Sequence, residues 1–599
     1  NGVITKNSSI DILSANICQL YQALAHVADM TDTHDESEAY RIHQLHFARN
    51  ATHAERDSLL LLASDSLGLY YSKRDRIADA IKIYKTCLQT EANSGDDVPL
   101  RVGDGRSIST VDSRLVDKDS NIDPSLYGRL LINLSEIYKK TDQADDAIEI
   151  MNIFLKLMQK EKDYKQQQIG LKIVGEIYFE ENKYTKAIQT WKDSLAYCPK
   201  ASLERCELHL LMAKAYESIK DFSSVALQYA HIVDLHETAN SDEDTICNYI
   251  KLQADALGKT LLPNNNKIMR TLKDFNGNCF AIIRLYTKYI DIRSVYGGLS
   301  NERDICIAYL KIGDIYFANL NEYADAADSY DKAVYTVQNR KGTPLFTKSH
   351  LKLGLSLVRL NDDANAEILF KLALSSSLDK ESISDQRGLS KYIYNQLGKL
   401  KVKKKQYVAA INYFKKYLKI AVMTNDSECE MDGYFHLGMS FLQSFDEGCQ
   451  DEIEQAISIN DIMEDSKFDH NKNGVLEIAT SMFNLLRRLS SENKDIRRES
   501  QAYVGLAECS TRRSLLTVAI GFYKSAIDLQ KVMGDKRGEM EQCGAVGMIY
   551  YVSKYYQDAK IYFEKQIEIA KELRDEGAIE QGGIMLARTY KMLYNKALK

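Results

Sequence analysis

The chain has 599 residues, with 84 acidic and 78 basic side chains and a formal charge of −6. So small an excess gives no global field for nucleic acid or anionic lipid, and no run approaches the roughly 18 apolar residues of a membrane span. Five prolines and thirty glycines are too few turn formers for an all-β or multidomain α/β protein, yet 599 residues exceed one compact core. A helical repeat array meets both bounds.

The start, NGVITKNSSIDILSANICQLY, lacks the order of a signal peptide and an initiator Met, so residues ahead of Asn1 are expected. Eleven cysteines, an odd number without a CxxC pair, read as scattered buried thiols of a reducing compartment, with Cys198 and Cys206 nearest to a pair. Asn133-Leu-Ser has the form of a glycosylation sequon but falls on a helix face that repeat packing would bury.

In chain order, amphipathic patterns over Ile10 to Met30 and Glu36 to Thr52 predict two capping helices. His34, His43, His46 and His53 cluster there, and His43 and His46 have an i, i+3 spacing; no ordered set of further ligands accompanies them, so capping or solvated histidines are the simpler reading. A recurring pattern then begins: a small residue three before an aromatic on one helix, and an alanine or valine four before a large side chain, mostly aromatic, on the next. It reads Gly68, Tyr71, Ala80, Tyr84; then, after a polar stretch over 91–124 without period, Ser135, Tyr138, Ala147, Met151. Gly175, Tyr178, Ala187 and Trp191 form the clearest unit, closed by Pro199, and Ala213, Tyr216, Val225 and Tyr229 follow.

From 242 to 300 the pattern decays. Leu257 and Gly258 start a candidate unit, Pro263 breaks it, and its second helix is expected near Asn278 to Arg293. It returns with Gly313, Tyr316 and Tyr330, which carry one extra turn residue, then with Gly354 and Phe370, and with Gly398 and Phe414. Gly438 and Phe441 open a helix whose expected partner, Asp451 to Met463, is out of register, and a further helix spans Val475 to Leu489. Ala507 and Tyr523, Gly547 and Phe563, and a final helix with Ala587 and Tyr590 complete the series. The small residues at 135 and 175, 507 and 547, and 547 and 587 are 40 apart, and those at 313 and 354 are 41 apart.

These residues resemble the tetratricopeptide repeat, a helix-turn-helix unit usually of 34 residues, in a longer variant. The connections, such as GDKRGE before a first helix carrying VG, resemble those of the LGN/Pins scaffold arrays. Those arrays carry Asn after the small residue, where this chain has Glu136, Glu176, Asp314, Lys399, Met439 and Met548. The resemblance implies an all-α, right-handed α-solenoid of about ten repeats. The expected domains are a helical cap (1–57), repeats (58–241) with the inserted loop, an irregular helical joint (242–300), repeats (301–438), an irregular helical region (439–500), and C-terminal repeats with a capping helix (501–599).

No catalytic signature occurs. Asp469 to Gly474 copies half an EF-hand loop, but its twelfth position is Thr480 rather than a bidentate carboxylate, so no metal or cofactor is expected. Lys399, Lys401, Lys403, Lys404 and Lys405 form a basic cluster, and Arg487, Arg488, Arg497, Arg498, Arg512 and Arg513 a second; without interleaved aromatics they do not indicate nucleic acid.

The resemblance places first helices on a concave surface, where residues beside the packing face become contacts. The candidates are Glu136, Lys139, Lys172, Glu176, Phe179, Asp314, Phe317 and Glu508. The expected function is a non-catalytic scaffold gripping an extended peptide or helix of a protein partner, with no nucleic acid and no membrane insertion. The expected location is the cytoplasm, in association with cytoskeleton or cilium. The alternatives are an axonemal or motor-associated assembly factor using its convex face, and a ligand-regulated sensor or regulatory subunit.

Overall fold

The computed structural model describes residues 2–51, 56–89, 124–261, 272–295, 299–378, 384–449, 452–453 and 474–597. Every regular element among these residues is helical, and the chain divides into two compact units, Asn1–Val295 and Tyr296–Lys599.

In the first unit, successive helices pair: Gly2–Met30 with His34–Arg49, Arg56–Lys73 with Ile77–Gln89, Pro124–Lys140 with Ala144–Lys160, Tyr164–Glu180 with Tyr184–Tyr197, Glu204–Ser218 with Phe222–Thr238, and Glu243–Thr260 with Leu272–Val295. In the second, Leu299–Ile315 pairs with Tyr323–Val337, Pro344–Arg359 with Asp363–Leu378, Ser384–Lys403 with Tyr407–Met423, Ser427–Asp446 with Gly474–Glu492, Ile496–Arg512 with Leu516–Met533, and Lys536–Val552 with Tyr556–Leu573. Glu576–Ala597 closes that unit against Tyr556–Leu573.

Many of the pairs are held by a small residue on the first helix lying under an aromatic on the second. Trp191 is fully buried over Gly175, where an added Cβ would collide with the indole. Its Nε1–H donates to the Lys172 carbonyl at 3.1 Å, so the polar tip is satisfied inside the core. Phe370 and Phe414 stand in the same way over Gly354 and Gly398, where a Cβ would come within 2.5 Å of each ring. A buried aromatic of this size removes enough apolar surface to stabilise its pair by about 4–6 kcal/mol.

Few glycines are needed because the left-handed turn positions go to other residues. Lys162, Lys220, Asn425, Lys494 and Arg574 all have φ between 50° and 61°. Each is followed by an aspartate that starts the next helix; Asp163 and Asp495 accept hydrogen bonds at 3.0 Å from the backbone N–H groups of Gln166 and Arg498.

Three stretches depart from the expected register. The extra residue after Gly313 is absorbed as a π-helical turn, Tyr316–Leu320, ending in left-handed Asn321. In Glu243–Thr260 the small position falls at Ala254 rather than Gly258. Gly258 faces open space, whereas buried Ala254 precedes Asp255, which accepts the Tyr286 hydroxyl at 2.7 Å. Gly313, Asp314 and Tyr330 form the same arrangement. For Gly438 the aromatic is Phe483 of Gly474–Glu492, which lies over both Gly438 and Gly505. The partner expected at Asp451 to Met463 lies outside the described residues except for 452–453, and the helix that fills its place begins after the whole stretch.

Candidate functional site

The first helices of neighbouring repeats come side by side within each unit: Arg56–Lys73 touches Pro124–Lys140, Pro344–Arg359 touches Ser384–Lys403, and Ser427–Asp446 touches Ile496–Arg512. This follows from the helix pairing, because each second helix packs on its own first helix and on the next. The residue after each small position therefore sits at the edge of the packing face.

In the first unit, five candidate residues fall on two adjacent first helices. Glu136 is exposed. Lys139 bridges to Glu180 at 2.7 Å, and Lys172 pairs with Glu207 on the following first helix. Glu176, the counterpart of Glu136 one repeat on, is half-buried. Burial pushes its carboxyl above the usual range, while Lys172 and Lys139 draw it back. Phe179 is also half-buried, its ring centroid 5.4 Å from that of Tyr184 and 6.0 Å from that of Trp191, so it is committed in part to packing. The outcome is a row of charges stitched across three repeats, with Glu136 an exposed carboxylate beside it.

In the second unit, the three candidate residues are not brought together. Asp314 accepts the Tyr330 hydroxyl at 2.5 Å and pairs with Lys352 at 2.9 Å, so its carboxylate ties its own second helix to the next first helix. Phe317 lies in the π turn, edge-on to Tyr323 at 5.3 Å. Glu508 lies on Ile496–Arg512, with three first helices intervening. It is half-buried, burial raising its carboxyl, and its ion pair with Arg512 is loose at 3.6 Å because Arg512 is held by Asp446 at 2.6 and 2.7 Å.

Sequence reasoning missed the cavity beside Glu508. It has a volume of about 370 Å³ and is framed by three successive first helices, with Phe435, Met439, Val504 and Met533 as apolar walls and Gln530 and Glu508 among its polar groups. Met439 was visible in the position after Gly438, but the cavity depends on the register set by Phe483.

The two basic clusters are spent largely on structure. Lys401 and Lys404 both grip Glu367, at 2.8 and 2.7 Å, and Lys371 joins them at 2.8 Å. Burial would raise the Glu367 carboxyl, but hydrogen bonds from these three lysines hold it at about 2. Lys403 takes Asp363 at 2.6 Å and Lys405 takes Glu447 at 2.7 Å. Among the arginines, Arg498 pairs with Asp432 and Arg513 with Glu477 at 3.4 Å, and Arg487 lies over the Tyr503 ring.

His43 stacks on Tyr21 and His46 meets Asn50 at 3.2 Å. No group of side chains suited to a metal occurs among the described residues, and His53 and 469–473 lie outside them. Cys198 and Cys206 are buried free thiols. Asn133 donates to Asp65 at 2.7 Å. Among the described residues, no helix is long and apolar enough to cross a membrane.

No curated protein sequence matches the chain. Among solved structures, the chain is similar to yeast Tom70, at 15% identity over 78% of this chain and 97% of that one with a TM-score of 0.28. It is also similar to the Cut9-Hcn1 hetero-tetramer of APC/C, at 12% identity over 97% and 98% with a TM-score of 0.30. The apo form of RapI matches at 11% identity over 48% of this chain and 99% of that one, with a TM-score of 0.32. A tetratricopeptide repeat family model matches residues 392–421, which hold Gly398 under Phe414. With that match and the same small-under-aromatic packing repeated through both units, the chain carries a tetratricopeptide repeat at 392–421 within an all-α array of like helix pairs.

Proposed function

We propose that the chain is a non-catalytic scaffold that binds an extended or helical segment of a partner protein along its first helices. The observation that carries this reading is the state of the residues after the small positions. Glu176 and Glu508 are half-buried carboxylates, each beside the packing face of a first helix in its own unit, neither sealed in the core nor fully solvated. Carboxylates so placed are partly desolvated before a ligand arrives, and gain from a partner that supplies hydrogen-bond donors or positive charge. Apolar side chains beside them, Phe179 in the first unit and Phe435 and Met439 in the second, add area for a peptide's apolar groups.

The test is affinity purification with the intact chain beside a double variant, Glu136→Lys with Glu176→Lys, checked for unchanged helicity by circular dichroism. Loss of specific partners from the variant is the expected result. An unchanged partner list removes the first helices of the first unit as the binding surface.

A further inference from the structure

We propose that the cavity between Ser427–Asp446, Ile496–Arg512 and Lys536–Val552 is a subsite for a basic side chain, arginine above lysine, of the bound segment; this rests on the peptide-binding reading above and specifies it. Three observations converge on the same space.

The first is an unpaired acceptor. Gln530 is only 6% exposed and lines the cavity, and its Oε1 has no hydrogen-bond partner. A buried amide oxygen left without a donor is destabilising, and a ligand N–H that reaches it recovers that cost.

The second is charge. Glu508 lines the same cavity, and its only ion pair among the described residues is the loose one with Arg512. An incoming cation meets a carboxylate whose competing partner is already bidentate on Asp446. An acidic or phosphorylated side chain would do the opposite. It would set a second negative charge beside Glu508 and leave the Gln530 oxygen unpaired.

The third is shape. Phe435, Met439 and Val504 among the lining residues suit the methylene stem of a long side chain, whose charged head is then available to Glu508. Arginine fits better than lysine, because its planar fork can donate to a carboxylate and to an amide oxygen together. Arg497 and Arg537 are exposed cavity residues; Arg537 is paired with Glu541 at 3.7 Å, and Arg497 favours an acidic neighbour of the basic residue.

The experiment is a positional-scanning library of synthetic peptides assayed for binding to the full chain, the Glu508→Gln chain and the Gln530→Met chain, each first shown by thermal melting to be folded. The expected result is one peptide position enriched in arginine, then lysine, with that preference falling about tenfold or more in each variant. Enrichment of acidic or apolar residues at a position sensitive to Glu508→Gln overturns the proposal. So does a basic preference that both variants leave intact, although peptide binding itself then stands. Absence of binding by any library member overturns both this subsite and the peptide-binding reading beneath it.

Discussion

The pair Tyr164–Glu180 with Tyr184–Tyr197 and the pair Ser427–Asp446 with Gly474–Glu492 reach the same packing by different chain routes. In the first, Gly175 and Trp191 are 16 positions apart; in the second, Gly438 and Phe483 are 45 apart. Both place a fully buried ring over a glycine. The repeat is therefore defined by a side-chain fit between two helices, and the connecting length is tolerated because closing a longer loop costs little. Their electrostatics differ as well. The first unit's row uses single, partly exposed pairs such as Lys139 with Glu180, whereas in the second unit Lys401 and Lys404 converge on one buried carboxylate, Glu367.

The strongest test of the common packing is to remove the rings. Trp191→Ala and Phe483→Ala should each cost about 3–5 kcal/mol in the local stability of their own pair, read by native-state hydrogen exchange. A cost below about 1 kcal/mol at Phe483 would break the equivalence.

The electrostatic contrast is sharpened by acid. Glu367 titrates at about 2 in the folded chain and near 4.3 when unfolded. Its folded pKa is depressed, so its contribution is complete above the unfolded value and is lost as pH falls from about 4.5 towards 2. Glu367→Gln should remove on the order of 3 kcal/mol at neutral pH and flatten that part of the stability–pH curve. Lys139→Met should change stability by no more than about 1 kcal/mol, since Lys139 and Glu180 are 30% and 53% exposed. Equal effects from the two variants would erase the contrast.

Loop tolerance can be tested by conversion. A flexible Gly/Ser insertion at Asn182, long enough to give the Gly175 pair the spacing of the Gly438 pair, should cost about 2 kcal/mol and preserve the Trp191 packing. Loss of the near-ultraviolet signal of Trp191, the single tryptophan of the chain, would show that the short turn is required.

The smallest effect concerns turns common to both units. Lys494 and Ser514 hold φ of 57° and 60°, and replacement of Ser514 by glycine should raise stability by up to about 1 kcal/mol in thermal unfolding. A destabilised Ser514→Gly chain would mean that the side chain contributes more than its backbone strain costs.

Most of the fold was legible because packing wrote itself into the sequence at fixed offsets, as Gly68 with Tyr84 and Gly547 with Phe563 show. Where an insertion separates the partners, the offset vanishes: Ala254 and Tyr286 are 32 positions apart, and Gly258 carries the familiar small residue after a leucine without the packing. The candidate surface was legible only as positions. That Asp314 is tied to Tyr330 and Lys352, and that Lys401 and Lys404 share Glu367, depends on residues far apart in the chain.

The sequence by itself determined the helical class, the small-under-aromatic pairing and the face of each first helix that lies beside it, because these follow from the periodicity of a helix. Only the tertiary structure decided which charges remain available, since an ion pair requires two chain segments to meet. It also decided where a cavity opens. Phe483 reaches both Gly438 and Gly505 across an insertion, and the register it imposes places Met439, Glu508 and Gln530 around one space.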